Sequence, residues 1–160
     1  MSRITEEIQV KVPVRVAYDQ WTQFESFPEF MEGVDKVEQL DDTTLEWTAT
    51  IAGKTKQWRA RIVEQRPDEL VSWRSIDGAR NDGEVRFESL TPDSTRLVLQ
   101  LDVEPDGLVE QAGDALGIVE RRVRGDLERF RDFIEAVGLP TGAWRGSVDA
   151  GRVGAGRTDR

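Results

Sequence analysis

Three observations predict an α+β fold for this chain. Seven segments alternate apolar and polar residues, hairpin-length connections join most of them, and one long amphipathic stretch follows. A curved antiparallel sheet of about seven strands, wrapped around a long C-terminal helix, with two short helices after the first strand, covers every apolar surface these patterns create.

The elements follow in order. Ile4, Glu6, Ile8, Val10 and Val12 share one face of the first strand, and Thr5, Glu7, Gln9 and Lys11 the other. Pro13 suits a first helical position, and Val14, Ala17, Tyr18 and Trp21 recur at helical spacing. A second short helical piece runs through Ser26-Phe27-Pro28-Glu29-Phe30-Met31 and ends at Gly33. Val34–Gln39 leads through Asp41-Asp42 into Thr44–Ile51, where Leu45, Trp47, Ala49 and Ile51 alternate with Glu46, Thr48 and Thr50. Ala52-Gly53-Lys54 reads as a hairpin turn. Lys56, Trp58, Ala60 and Ile62 then alternate with Gln57, Arg59 and Arg61. Pro67-Asp68 turns the chain into Leu70–Ser75, with Val71 and Trp73 on one face. Asp77-Gly78 and Asn81-Asp82-Gly83 bracket the next turn, before Val85 and Phe87. Pro92-Asp93-Ser94 precedes Thr95, Leu97, Leu99, Leu101 and Val103.

Pro105-Asp106-Gly107 launches the long helix, expected from Leu108 to Val137. Ala112, Leu116, Val119, Val123, Leu127, Phe130, Ile134 and Val137 fall at steps of three and four, the stripe of one helical face. Gly138 and Pro140 stop it. Thirty residues span about 45 Å, so the sheet must supply a long apolar surface. Gly113 and Gly117 weaken this helix and are read as permitting a bend or a close approach of the sheet. Arg121, Arg122, Arg124, Arg129 and Arg131 read as its solvated face.

The 160 residues fit one domain with a real core. Residues 1–137 form that domain. Residues 138–160, glycine-rich and carrying four Arg against two Asp, read as a flexible C-terminal tail in which Trp144 either docks on the body or stands exposed. With no apolar run of membrane-span length and no apolar signal core in Met1–Glu7, the chain is expected to be cytoplasmic, without an integral membrane segment.

Composition also limits the chemistry. The chain has neither histidine nor cysteine, which excludes Ser-His-Asp and Cys-His sites and ordinary zinc sites. No metal and no cofactor are expected, and Asp41-Asp42 reads as a solvated turn rather than a cation site. The net charge of −9 argues against a nucleic-acid partner. A homodimer is compatible with the sequence.

Three stretches resemble the helix-grip superfamily (START-like lipid carriers, polyketide cyclase/dehydrase proteins and Bet v 1 allergens, together SRPBCC), in its bacterial polyketide cyclase/dehydrase-like branch. They are Val14-Arg15-Val16-Ala17-Tyr18-Asp19-Gln20-Trp21 with Phe24, Phe27-Pro28 and Phe30-Met31; Trp58-Arg59-Ala60-Arg61-Ile62 with Pro67-Asp68 and Val71-Ser72-Trp73; and Glu104-Pro105-Asp106-Gly107 with Gly117 and Arg121-Arg122-Val123. The likeness covers about residues 1–137. It implies an elongated cavity between sheet and long helix, open near the short helices, that takes an apolar or amphipathic small molecule such as a lipid, quinone or polyketide. Some members catalyse cyclisation and dehydration. No catalytic residue carries over, since histidine is absent and Tyr18 is the only tyrosine.

The candidate ligand-binding residues are then Trp47, Trp58 and Trp73 on inward sheet faces, each a large ring with one N–H donor. Phe87 and Leu99 lie on the same faces, and Leu116 and Val119 on the helical stripe. Tyr18, Trp21 and Phe30, with Phe27 and Met31, sit at the expected mouth. For all of these the competing reading is plain core packing. Arg59, Arg61 and Arg74 alternate with the tryptophans and read as the solvated sheet face. A register one residue off would turn them into the cavity, where an arginine binds a carboxylate or enolate oxygen.

The expected activity is binding of a small hydrophobic or amphipathic molecule in an internal cavity. One alternative is a polyketide cyclase, aromatase or dehydratase that folds a reactive chain and moves a proton through Tyr18 or an inward acid. The other is a protein-interaction module with a filled core.

Overall fold

The computed structural model describes residues 2–51, 53–78, 81–103, 114–150 and 152–153. β1 (Ser2–Val10), α1 (Val14–Trp21) and a 3₁₀ helix (Phe24–Glu29) come first. β2 (Val34–Gln39), β3 (Thr44–Ile51), β4 (Lys54–Arg66), β5 (Leu70–Gly78), β6 (Asn81–Thr91) and β7 (Ser94–Val103) follow. α2 (Asp114–Val137) and two short strands, β8 (Val148–Asp149) and β9 (Arg152–Val153), complete the order.

The seven long strands form one curled antiparallel sheet in the order β1-β7-β6-β5-β4-β3-β2. Its register lines up the apolar face. Ile4 pairs with Leu101, Leu101 with Gly83, Gly83 with Trp73, and Trp73 with Ile62. Trp58 pairs with Trp47, and Trp47 with Val37. α2 lays Val123, Leu127, Phe130 and Ile134 onto this face, all buried. The opposite face carries Arg59, Arg61 and Arg74, all exposed, and cross-strand ion pairs such as Arg59–Glu46 at 3.4 Å and Arg96–Glu88 at 3.1 Å. The alternative that turned these arginines inward therefore fails, because the alternation on β4 puts Trp58, Ala60 and Ile62 inside.

Several expectations change. Pro13 is the N-cap of α1 rather than its first helical residue. The second helical piece is a 3₁₀ helix that begins at Phe24. Residues 104–113, and with them Gly113 and the expected start of the long helix, lie outside the described residues, as does Ala52 of the β3–β4 turn. At Gly117 an added Cβ would meet nothing within 4 Å among the described residues, so no close approach of the sheet is made there. Asp41 does act as a turn residue, as expected. Its carboxylate accepts the Thr43 and Thr44 N–H groups at 2.9 and 2.8 Å, which hold it below the usual carboxylate range. No cluster able to hold a metal ion is found among the described residues.

The largest correction concerns the tail. Residues 141–149 lie against the body. Thr141 donates its N–H to Gln20 Oε1 (2.7 Å), Trp144 its N–H to Thr22 Oγ1 (3.1 Å), and β8 pairs with β4 at Gln65 and Glu64. Val148 is buried in the main core. Arg145 closes the contact with ion pairs to Asp19 and Asp68. A β-bulge between Ile62 and Glu64 makes this seat, because it turns Gln65 rather than Glu64 inward. Glycine content pointed to disorder, but the buried polar groups of α1 needed partners, and these residues supply them.

Candidate functional site

A cavity of about 210 Å³ lies between the sheet, the short helices and α2. Its floor is aromatic. Trp47 and Trp58 stack across the β3–β4 pair with centroids 5.7 Å apart and planes 7° apart. Trp73 lies over Gly83, its cross-strand partner, where an added Cβ would stand 2.6 Å from the indole. Glycine is required there to let the ring lie flat across the neighbouring strand. The Trp73 N–H donates to Asn81 Oδ1 at 3.3 Å, and both residues line the cavity.

The short helices form one wall. Phe27 packs against Trp47 (5.6 Å) and Trp21 (5.3 Å), and Trp21, Phe24, Phe27 and Met31 all face the cavity. α2 supplies the other wall through Val119, Val123 and Leu127 and, at the edge of its stripe, Arg122 and Asp126. The turn 30–33 is tied to this wall by three hydrogen bonds. Arg129 Nε donates to Phe30 O (2.9 Å), Glu32 N–H to Asp126 Oδ1 (3.0 Å), and Arg122 Nη1 to Glu32 O (2.9 Å). Glu32 is exposed, so the cavity reaches the surface at this turn.

Asp126 is the acid of the site. Burial pushes its pKa up to about 6, against the opposing pull of the Arg129 pair, the Glu32 N–H and the Arg122 charge. Lys56 adds a half-buried cation to the sheet side of the wall.

Six of the expected residues therefore line one cavity: Trp21, Trp47, Trp58, Trp73, Leu99 and Val119. Tyr18, Phe30 and Phe87 do not. Tyr18 is fully buried with its ring edge-on to Phe87 at 5.3 Å, and Arg145 lies over its other side at 5.5 Å. Burial raises the phenol pKa, so Tyr18 stays neutral and away from the cavity. Phe30 packs on Phe130 and Phe133 beneath the turn. The Leu116 side chain lies outside the described residues.

The polar groups were missed. Arg122 and Asp126 stand three and seven residues after Val119, the spacing of the buried stripe, so the signal was present. Reading every arginine of α2 as solvated hid it. Arg124 is likewise drawn to the sheet, where it pairs with Glu6 on the inward face of β1 at 3.1 Å.

A profile of the family described as polyketide cyclase/dehydrase and lipid transport matches residues 10–131. An uncharacterized 17.2 kDa protein of Streptomyces lincolnensis, encoded in the melC2–rnhH intergenic region, is 50% identical over 149 residues, 92% of this chain and 99% of that protein. Among solved structures, the Zhui aromatase/cyclase of a Streptomyces species superposes with a TM-score of 0.72 at 20% identity, over 89% of this chain and 99% of that one. A Thermus thermophilus protein gives 0.74 at 20% identity, over 85% and 99%. A START superfamily protein of Mycobacterium smegmatis gives 0.63 at 18%, over 79% and 97%. These structural likenesses share the curled sheet gripping a C-terminal helix.

Proposed function

Because the chain belongs to the polyketide cyclase/dehydrase and lipid transport family, we propose that it binds one small hydrophobic or amphipathic molecule in the cavity between sheet and α2. The observation that carries this reading is an unfilled cavity of about 210 Å³ walled by four tryptophans and by aliphatic side chains. Natural cores leave few voids larger than a water molecule, so a space this size under an aromatic wall fits a guest. Each 100 Å² of apolar ligand surface buried there contributes about 2.5 kcal/mol before the cost of association. The filled core that the interaction-module reading requires is not what this cavity supports.

Native mass spectrometry of the purified protein, paired with tryptophan quenching by fatty acids, quinones and aromatic polyketides, tests the reading. A stoichiometric adduct, or saturable quenching that weakens at least tenfold in Trp58→Ala, is the expected result. A clean apo mass with no quenching by any class overturns it.

A cyclase or dehydratase role has one observation in its favour. Asp126 is an acid on the cavity wall whose pKa burial raises to about 6, the direction that suits a general acid–base group. Turnover of a poly-β-ketone thioester that falls at least a hundredfold in Asp126→Asn is the outcome this second reading expects. Absence of turnover with binding intact leaves the carrier.

A further inference from the structure

The polar groups of the cavity wall differ in what they already hold. Asn81 accepts the Trp73 N–H. Asp126 accepts Arg129 at 2.5 Å and the Glu32 N–H at 3.0 Å. Arg124 and Arg145, elsewhere on the molecule, face carboxylates of Glu6, Asp19 and Asp68. Arg122 is different. Its one hydrogen bond runs from Nη1 to a neutral acceptor, Glu32 O, and its Nε is buried with no partner among the described residues.

The guanidinium stands half-buried at an apolar wall with no carboxylate bonded to it among the described residues, and an oxyanion from a guest can supply the charged partner it lacks there. Asp126 feels the Arg122 charge but gives its hydrogen bonds to Arg129 and the Glu32 N–H. The guanidinium is also held in place. Gly33 sits at φ +89°, and an added Cβ would come to 2.0 Å from Arg122 Nη1. The positive φ favours glycine there, and its missing side chain lets the Arg122 guanidinium lie against the turn while Nη1 holds Glu32 O. The three inward-facing sheet tryptophans on the same cavity supply the apolar seat for the remainder of the guest.

We propose that the molecule bound in this cavity is an amphipathic oxyanion, a carboxylate or an enolate or phenolate, whose charged oxygen pairs with Arg122 while its apolar body lies against Trp47, Trp58 and Trp73. The inference rests on the reading of the cavity as a ligand site and adds the head-group chemistry. Arg122 acts as the specificity-determining residue.

Isothermal titration at pH 8 with 2-naphthoate and the neutral 2-naphthalenemethanol tests it, since the two share an apolar body and differ in charge. The wild type should bind naphthoate at least tenfold more tightly. Arg122→Met should abolish that preference and leave alcohol affinity within about twofold. Arg122→Gln, which keeps a donor toward Glu32 O, should do the same if the methionine variant fails to fold, and the wild-type preference stands without either. Equal affinity for both probes in the wild type, or naphthoate binding unchanged in a folded Arg122 variant, overturns the proposal while the cavity remains a ligand site. Binding of neither probe, under conditions where the lipid and quinone panel also fails, overturns both.

Discussion

Trp47 and Trp58 stack face to face, 5.7 Å between centroids and 7° between planes, with both rings on the cavity wall. Two parallel indoles at this distance couple electronically. The expected signature is an exciton couplet in far-ultraviolet circular dichroism that vanishes in Trp58→Phe and shifts when a ligand occupies the cavity. Trp58→Ala should also lower stability by about 3 kcal/mol in urea unfolding, the low end for a buried aromatic because one side already faces a void.

Gly33 and Gly53 both have positive φ, +89° and +80°, but differ in surroundings. An added methyl at Gly53 meets nothing within 4 Å among the described residues, whereas at Gly33 it meets Arg122. Gly53→Ala should therefore cost only the backbone strain, about 1 kcal/mol. Gly33→Ala should cost that same backbone strain and also push the Arg122 guanidinium aside, so it should reduce the naphthoate preference where Gly53→Ala does not.

The Asp126 carboxyl, raised to about 6 against an ordinary value near 3.9, holds its proton more tightly in the folded chain than in the unfolded one. Its stabilising contribution is complete below about pH 4 and disappears as pH rises through about 6, a change of roughly 2 to 3 kcal/mol. Other carboxylates titrate over the same range, so the difference between wild type and Asp126→Asn isolates it. That difference should favour the wild type more at pH 4 than at pH 7. A difference independent of pH would show that the carboxyl is not held in its acid form.

Arg145 reaches from the C-terminal segment to Asp19, a carboxylate only 5% exposed, and to Asp68 at 2.8 Å. Burial raises the Asp19 pKa despite this partner. Removing the arginine leaves Arg15, 3.8 Å away and largely exposed, as the only cation paired with it among the described residues. Arg145→Ala should lower stability by about 3 kcal/mol, and Asp19→Asn in the same chain should recover much of the loss. A double-mutant cycle with no coupling would show that the pair contributes nothing.

The fold was legible because period-two alternation on β4 and β7, and three-and-four spacing on α2, are direct records of which side chains are inside. The tryptophan wall was legible for the same reason. Gln65 was not, since a bulge reverses alternation without changing composition. Helical spacing puts Tyr18 on one face of α1 but does not show what covers that face, and Arg145 of a distant segment covers it. Arg122 and Asp126 sat on the correct face of α2, but charge outweighed position in reading them.

The pairing of β8 with β4 and the hold of residues 141–149 on α1 set an order on biosynthesis. Tyr18, Asp19 and Gln20 are made early, yet the groups that cover and pair with them lie more than 120 positions later. Contacts of such sequence separation form late. While the chain is being made, Asp19 and Gln20 keep water as their partner, and burying them against the body becomes favourable only once residues 141–148 are free to join it. A chain cut before Thr141 and held on the ribosome by an added C-terminal linker should therefore be digested by protease within α1, and the 160-residue chain held by the same linker should resist.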